Sequence, residues 1–159
     1  MTSSCKVMRD LIRKECVKEG IFNEDQIDYI TATAMWETNH TCLPVKEAYW
    51  LSEAWRKRHL RYYPYYGRGL VQITWKNNYE RFGKLLDIDL VNSPDMALDI
   101  KYAVKILVIG MRDGLFTGFK LSQFIGRDRP TNFIGARSIV NGRDKAHVIA
   151  SMARDIKLA

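Results

Sequence analysis

The segment from Asp99 to Met111 constrains the fold more than any other part of this chain. It reads DIKYAVKILVIGM, and its apolar residues cover most of the surface that a helix of this length would have. A helix that is apolar on most sides must be buried by other elements. The segment therefore predicts a central helix with the rest of the chain packed around it.

Amphipathic stretches on both sides of this segment supply elements that can surround it. Residues 4–19 have helical periodicity, and their apolar stripe consists of Val7, Met8, Leu11, Ile12 and Cys16. Asn23 is a capping residue type directly before EDQIDYITATAMWET, and residues 75–86 and 144–158 are also helical in pattern. Only residues 66–73, YGRGLVQI, resemble a strand. The pattern predicts a mainly α-helical domain with at most a small β-hairpin.

The composition is that of one globular domain over residues 1–159. Hydrophobic residues make up 47% and charged residues 27% of the chain. A domain of this length can be stable without disulfides or metals. The sequence contains no run of about 18 apolar residues, so it predicts no membrane-spanning helix. The N-terminal MTSSCKVMRDLIRKEC lacks the uninterrupted apolar core of a secretory signal, so we expect no signal peptide.

The cysteines and histidines indicate neither a disulfide framework nor a metal site. Three cysteines, Cys5, Cys16 and Cys42, are few and odd in number, and we interpret them as small buried hydrophobic residues. The three histidines are scattered, and no CxxC or HxxxH pattern is present. We therefore predict no metal and no cofactor.

The formal net charge of +7 favours a polyanionic partner, which could be nucleic acid, anionic lipid or an acidic cell-wall polymer. A solvated basic surface is the alternative. Basic and aromatic residues interleave in RKRHLRYYPYY as they do in a groove that binds single-stranded nucleic acid. Charge alone does not choose among these partners.

Glu37 is a candidate general acid. It follows the apolar stripe of the second predicted helix and adjoins Trp36. A carboxylate at the end of a core helix, beside an indole, can be partly dehydrated, which favours its protonated form. The C-terminal end of a helix also disfavours an anion. An exposed glutamate at a helix end is an equally consistent interpretation. Other carboxylates, such as Glu15 and Glu19, lie on charged helix faces, where we expect them to be solvated.

Glu47 is the candidate for a second catalytic carboxylate. On one straight helix it would lie about 15 Å from Glu37, but Pro44 disfavours such a helix and lets the chain fold back. Inverting glycosidases need carboxyl groups roughly 6.5–9.5 Å apart, with a water between them. A fold-back over NHTCLPVK permits that separation. Alternatively, Glu47 is a helix N-terminal residue that the helix dipole favours.

Residues 62–75, YYPYYGRGLVQITW, have the composition of a cleft wall. Aromatic faces can stack on sugar rings, and their polar tips can hydrogen-bond to hydroxyls. Gln72 and Thr74 would alternate on a strand and point to one side, where a hydroxyl could hold the attacking water. Arg68 could reach into the cleft or tie the loop to a core carboxylate, and the second role is favoured.

Four sequence blocks occur in an order typical of one enzyme family. They are AMWETNH, YYGRGLVQITWKNNYERFG, NSPDMALD and ARSIVNG. The blocks resemble, in order and spacing over about residues 27–155, those of the family 19 glycoside hydrolases, which have the chitinase class I-like fold. The short length, with no carbohydrate-binding module and no disulfide set, resembles the bacteriophage endolysin branch rather than the plant chitinases.

This resemblance implies one catalytic, lysozyme-like domain in which two helical lobes flank a cleft. It also implies inverting hydrolysis of a β-1,4-linked aminosugar polymer. By position, Glu37 would be the general acid, Glu47 the base and Thr74 the residue that holds the water, while Arg68 would support the acid end of the site. The residues implied to bind substrate are Tyr66, Arg68, Gln72, Asn78, Arg137 and Asn141.

The chain departs from the family pattern at two places. Trp36 stands where the family usually has histidine, and TNHT replaces paired glycines after the first glutamate. The family pattern therefore does not give the course of the chain from Glu37 to Glu47, and Glu53 is the alternative base.

The combined expectation is a monomeric endolysin that cleaves the glycan strands of peptidoglycan and binds no nucleic acid. Its basic last helix could contact the anionic outer-membrane surface. Without a signal peptide, it would stay in the host cytoplasm until a separate pore-forming protein releases it to the periplasm. A chitinase is one alternative. The other is a non-catalytic wall-binding or virion protein that keeps the fold.

Overall fold

The structure, a computed structural model, describes residues 1–158. Its helices are α1 (Ser3–Lys18), α2 (Glu24–Glu37), α3 (Glu53–His59), α4 (Lys76–Leu86), α5 (Ile100–Asp113) and α6 (Ala146–Leu158). Two short strands, β1 (Val45–Lys46) and β2 (Arg68–Gly69), pair in antiparallel orientation. Short 3₁₀ turns lie at Pro94–Leu98, Leu121–Gln123 and Gly135–Ile139.

Helix α5 is the central element, as its composition predicts. Its buried residues divide between two hydrophobic clusters. Leu107 and Val108 pack in the larger cluster with α1, α2 and α6, whereas Ile106 packs in the smaller one with Tyr79 and Phe82 of α4. The two clusters are the cores of two lobes that share α5. The mainly helical, lysozyme-like fold with a small hairpin is therefore confirmed.

Helix α2 delivers Glu37 from the larger lobe. The Asn23 side chain caps its start by accepting a hydrogen bond from the Gln26 backbone N–H at 3.1 Å, as predicted. The helix ends directly after Glu37, where the Thr38 hydroxyl donates to the Ala34 carbonyl at 2.8 Å. Glu37 thus lies at the C-terminal end of a helix whose middle is buried on nearly all sides.

The hairpin is shorter than the predicted strand over residues 66–73. Val45 pairs with Gly69 and Lys46 pairs with Arg68, and a single further bridge joins Arg68 to Ile73. Between them the chain turns, and Gln72 adopts a left-handed conformation with φ of 56°. The alternation of Gln72 and Thr74 along a strand, which the sequence predicted, is therefore wrong. Left-handed backbone breaks the pleat.

The interpretation of the cysteines is wrong for two of the three. Cys5 and Cys42 form a disulfide, which ties the start of α1 to the loop after α2. Cys16 is buried and free, and burial raises the pKa of its thiol to about 12. Asn39, like Cys42, has a positive φ in this loop, so the loop backbone is locally strained.

One predicted surface carboxylate is in fact buried. Glu15 is almost fully enclosed and accepts a hydrogen bond from the Lys105 ammonium at 3.0 Å, between α1 and α5. Among residues 1–158, no helix is both long enough and apolar enough to span a bilayer.

Candidate active site

Glu37 is held by an arginine from the far end of the chain. Arg137, in the 3₁₀ turn Gly135–Ile139, donates from Nη1 to Glu37 Oε1 at 2.7 Å. The Arg137 side chain is buried, and its Nε donates to the Asp144 carbonyl at 2.7 Å, which fixes the plane of the guanidinium. Trp36, at the family's histidine position, packs edge-on against His40. The acid candidate therefore has a charged and pre-oriented partner.

Glu47 follows β1 and is held by neutral donors. Its Oε1 accepts from the Gly67 backbone N–H at 2.9 Å, and its Oε2 accepts from the Tyr62 hydroxyl at 2.5 Å. The hydrogen bond to the Glu47 carboxylate, reinforced by burial, raises the pKa of Tyr62 to about 12. Both oxygens of Glu47 are thus fixed by the segment that carries the aromatic stretch.

Tyr66 and Arg68 lie beneath the surface rather than on a cleft wall. Tyr66 is 1% exposed and Arg68 is 4% exposed. The Arg68 guanidinium stacks over the Tyr66 ring at 3.8 Å and donates to Asp95 Oδ1 and the Pro64 carbonyl, both at 2.8 Å. Arg68 therefore ties the loop down, which is the role favoured from the sequence, although the side chain of Asp95 is exposed. Both side chains are therefore covered by other parts of the protein, and their predicted contact with substrate stays a prediction.

Gln72 lies beside the Glu47 segment. Its Nε2 donates to the Val45 carbonyl at 2.8 Å, and its side chain covers the face of Gly67. A Cβ atom at position 67 would lie 2.5 Å from Gln72 Oε1, so a glycine is required for this packing. Gln72 and Gly67 therefore form one packed unit next to the Glu47 carboxylate.

Gln72, Thr74 and Asn78 line one pocket of about 160 Å³. The Asn78 Nδ2 donates to the Thr74 carbonyl at 2.7 Å, which joins the start of α4 to the loop. Val140 lines the same pocket, and its backbone N–H donates to the Arg137 carbonyl at 3.3 Å. The Arg137 turn therefore reaches the wall of the pocket that contains the predicted water-holding threonine.

Asn141 lies at the exposed end of this turn. Its backbone N–H donates to the Arg137 carbonyl at 3.0 Å, and its Oδ1 accepts from the Gly142 N–H at 2.7 Å. It follows Val140 in the chain, but it is exposed and is not one of the residues that line the pocket.

Glu53, the alternative base, is surrounded by cations. It is the first residue of α3, and its Oε2 accepts from the Tyr66 hydroxyl at 3.0 Å. Lys46 Nζ and Arg56 Nε lie 3.9 Å and 3.5 Å from the same oxygen. The surroundings of Glu53 thus differ from the neutral donors that hold Glu47.

Two residues near the site were missed by the sequence reasoning. Tyr62 binds Glu47 directly, as described above. Trp75 lines the pocket with Thr74, is 45% exposed, and packs its ring 4.9 Å from the Tyr62 ring. Both belong to the stretch 62–75, but the sequence could not show which of its aromatic side chains turn outward.

The site contains the groups needed for acid–base chemistry at a glycosidic bond. Glu37 is connected to the pocket beside Thr74 through Arg137 and Val140, and Glu47 is connected to it through Gly67 and Gln72. Within residues 1–158, no three His, Cys, Asp or Glu side chains cluster in a way that could hold a metal ion.

Comparison with known proteins identifies the family. A sequence model of the family described as chitinase class I matches residues 23–108, more than half of the chain. Endochitinase 1 of Theobroma cacao is 33% identical over 61 residues, which are 38% of this chain and 14% of that protein. Chitinase 11 of Oryza sativa subsp. japonica is 58% identical over 33 residues, 21% of this chain and 13% of that protein.

Basic endochitinase of Vitis vinifera is 44% identical over 55 residues, which are 35% of this chain and 15% of that protein. The chain thus spans at most 15% of the length of these three relatives. The family match contains Glu37, Glu47 and the whole aromatic stretch. The chain belongs to the chitinase class I family, family 19 of the glycoside hydrolases.

Proposed function

We propose that this protein is an endolysin that hydrolyses β-1,4 glycosidic bonds in the glycan strands of peptidoglycan by an inverting mechanism. The observation that carries the proposal is the pair of differently held glutamates within the family match. Glu37 has an arginine partner, and Glu47 is fixed by Gly67 and Tyr62. Two carboxylates in distinct settings are the requirement for separate acid and base roles.

In the proposed reaction, Glu37 donates its proton to the glycosidic oxygen as the bond from the anomeric carbon to that oxygen breaks. The bond to Arg137 engages Oε1, so we assign the proton to Oε2. A water held by Thr74 attacks the anomeric carbon from the opposite face and gives its proton to Glu47. The product therefore has the inverted configuration.

The surroundings of the two alternative bases favour Glu47 over Glu53. Glu47 shares the Gly67 segment with Gln72, which lines the pocket beside Thr74. Glu53 is instead engaged by Tyr66, Lys46 and Arg56, none of which lines that pocket. We therefore assign water activation to Glu47.

Peptidoglycan is proposed as the substrate because of the charge of the protein. The net charge of +7 suits an acidic wall and an anionic membrane surface. The Cys5–Cys42 disulfide also suits an oxidising compartment such as the periplasm, where such bonds persist. This disulfide removes one ground for the likeness to endolysins, namely the expected absence of disulfides. The proposed location is the host cytoplasm until a pore-forming partner releases the protein.

Chitin is the second candidate substrate, and the names of the plant relatives favour it. The chemistry at the bond would be the same. Purified murein and chitin oligomers, incubated separately with the protein and analysed by mass spectrometry, distinguish the two substrates. Release of sugar fragments from chitin alone would contradict the endolysin proposal.

The central experiment compares lysis by the wild type with lysis by Glu37→Gln. Turbidity of outer-membrane-permeabilised Gram-negative cells should fall with the wild type and remain constant with the variant. Glu80→Gln, an exposed change on α4, is the matched control and should lyse like the wild type. Equal lysis by wild type and Glu37→Gln would overturn the catalytic assignment. Wall binding without fragment release would instead support the non-catalytic alternative.

A further inference from the structure

The turn directly after Glu47 presents two aromatic side chains to solvent. Tyr49 is 60% exposed and Trp50 is 70% exposed. Their rings pack edge-on with centroids 5.3 Å apart, so they form one continuous aromatic surface. Neither residue belongs to a hydrophobic cluster of the fold. The fold therefore does not explain why this turn carries the two aromatic residues.

A buried arginine holds the turn in place. Arg56 is 6% exposed, and its Nη1 donates to the Ala48 carbonyl at 2.8 Å and the Leu51 carbonyl at 3.0 Å. The Leu51 N–H also donates to the Ala48 carbonyl at 2.9 Å. Ala48 has a φ of 52°, which is unfavourable for a residue with a Cβ atom. The surrounding structure thus maintains a strained backbone that directs two rings outward.

The same turn begins at the proposed base. Tyr49 lies two residues after Glu47, and the Glu47 carbonyl is 3.5 Å from the same Nη1 of Arg56. The carboxylate of Glu47 is independently fixed by Gly67 and Tyr62. The positions of the two aromatic rings relative to the Glu47 carboxylate are therefore fixed.

We propose that Tyr49 and Trp50 form a sugar-binding platform that stacks on a pyranose ring of the glycan strand next to the bond that is cleaved. This inference rests on the proposed function. The apolar C–H face of a β-linked aminosugar fits an aromatic ring, and its hydroxyl and amide groups remain free to hydrogen-bond. Continuity with Glu47 favours a glycan over a protein or a membrane as the occupant.

The test measures glycan binding without turnover. In a Glu37→Gln background, a soluble N-acetylglucosamine hexamer and soluble uncrosslinked murein strands are titrated by calorimetry. Adding Trp50→Ala should raise the Kd for the preferred glycan by roughly tenfold, and adding Tyr49→Ala should raise it by a smaller factor. Phe22→Ala removes an aromatic residue that is equally exposed but lies before α2, and it should leave binding unchanged.

A second measurement separates this inference from the proposed function. In the otherwise wild-type protein, Trp50→Ala should raise KM with little change in kcat. Trp50→Phe keeps an aromatic ring, so its KM should be close to that of the wild type. If the wild type cleaves glycan and Trp50→Ala changes neither Kd nor KM, the platform inference alone is wrong. If the wild type neither cleaves nor binds glycan, both proposals fail. Loss of binding to anionic lipid vesicles, with glycan binding intact, would assign the surface to a membrane instead.

Discussion

The Tyr62 hydroxyl donates a hydrogen bond to Glu47 Oε2 at 2.5 Å, and this contact joins the first tyrosine of the aromatic stretch to the proposed base. The same carboxylate accepts from the Gly67 N–H at 2.9 Å. Two donors from one loop thus determine where the carboxylate points. The loop is in turn held by Arg68, so the position of the proposed base also depends on the buried contacts of this arginine.

The Tyr62–Glu47 contact has a predicted pH signature. The hydrogen bond raises the pKa of Tyr62 from 10.0 to about 12 in the folded protein. Because the folded value is above the unfolded one, the contact stabilises the fold fully below about pH 10. That contribution is lost as the pH rises through about 12. The difference between the absorbance titrations of the wild type and of Tyr62→Phe measures the pKa of Tyr62 in the folded protein.

Glu47→Gln supplies the matched comparison for this titration. It keeps an oxygen that can accept the bond but removes the negative charge, so the pKa of Tyr62 should fall towards 10. An unchanged Tyr62 titration in Glu47→Gln would mean that the contact does not exist in solution.

We expect Arg137 to act as a positioning residue for Glu37. Arg137→Ala removes the bond to Glu37 Oε1 and should lower kcat by roughly 100-fold through misplacement of the acid. It should also destabilise the fold by about 3 kcal/mol, because the bond to the Asp144 carbonyl is lost and a partly buried carboxylate loses its partner. Steady-state kinetics and urea unfolding measure the two effects.

Arg137→Lys separates the two roles of this residue. A lysine keeps the charge but cannot bind Glu37 and the Asp144 carbonyl at the same time with a planar guanidinium, so stability should recover more than kcat. Arg143→Ala, an exposed change nearby, is the control and should alter neither quantity. If Arg137→Ala has wild-type kcat, Glu37 does not depend on this ion pair.

The packing of Gln72 over Gly67 predicts a rescue experiment. Gly67→Ala should displace the Gln72 side chain, because the new methyl would lie 2.5 Å from Oε1. Since a side-chain end can move at low cost, stability should fall by less than about 1 kcal/mol while kcat/KM falls about tenfold. Thermal unfolding and kinetics, measured in parallel, separate the effects.

The rescue uses Gln72→Ala. In that background the two closest contacts of the added methyl, Gln72 Oε1 and Cδ, are absent and the Cβ atom lies 3.3 Å away, so Gly67→Ala should cause almost no further loss of activity. Losses that add fully in the double variant would show that the two residues act independently.

Arg68→Ala should destabilise the protein by about 2–4 kcal/mol, because the buried Tyr79 hydroxyl and Tyr66 carbonyl lose a donor and the stack on Tyr66 is lost. Urea unfolding measures the change. Arg61→Ala removes an exposed arginine that lies over the Trp75 ring at 5.5 Å, and it should change stability by less than about 1 kcal/mol. Comparable losses in both variants would contradict the anchoring role.

Reduction of the Cys5–Cys42 disulfide should destabilise the protein by about 2–4 kcal/mol, since the bond closes a loop between residues separated by 37 in sequence. Alkylation after unfolding without reductant should label one thiol, that of Cys16. The variant with both Cys5→Ser and Cys42→Ser should have the stability of the reduced wild type and should not respond to reductant. A reductant-insensitive wild type would exclude the bond.

Local patterns predicted much of the helical framework. The cap at Asn23 and the apolar surface of α5 are properties of short windows, and the structure contains both as expected. The ordered motif blocks likewise predicted the family, because they depend on spacing along the chain. These features need no knowledge of which distant residues meet.

The features that were missed depend on distant contacts or on backbone conformation. The partner of Cys5 was not predicted because it lies on another element. Glu15 was expected on the surface because its partner, Lys105, is 90 residues away in the chain. Gln72 was placed on a strand because its left-handed φ has no signature in a single residue type.

Arg137 reaches Glu37 across 100 residues of sequence, and this order has a consequence for biosynthesis. A ribosome-bound chain that has emerged only as far as α5 already contains both glutamates and the whole hairpin. It lacks the Arg137 guanidinium that binds the Glu37 carboxylate. Translation proceeds at roughly 5–20 residues per second, so several seconds separate the emergence of Glu37 from that of Arg137. The nascent chain therefore cannot form the Glu37–Arg137 ion pair until the segment that contains Arg137 has left the ribosome and folded back onto α2.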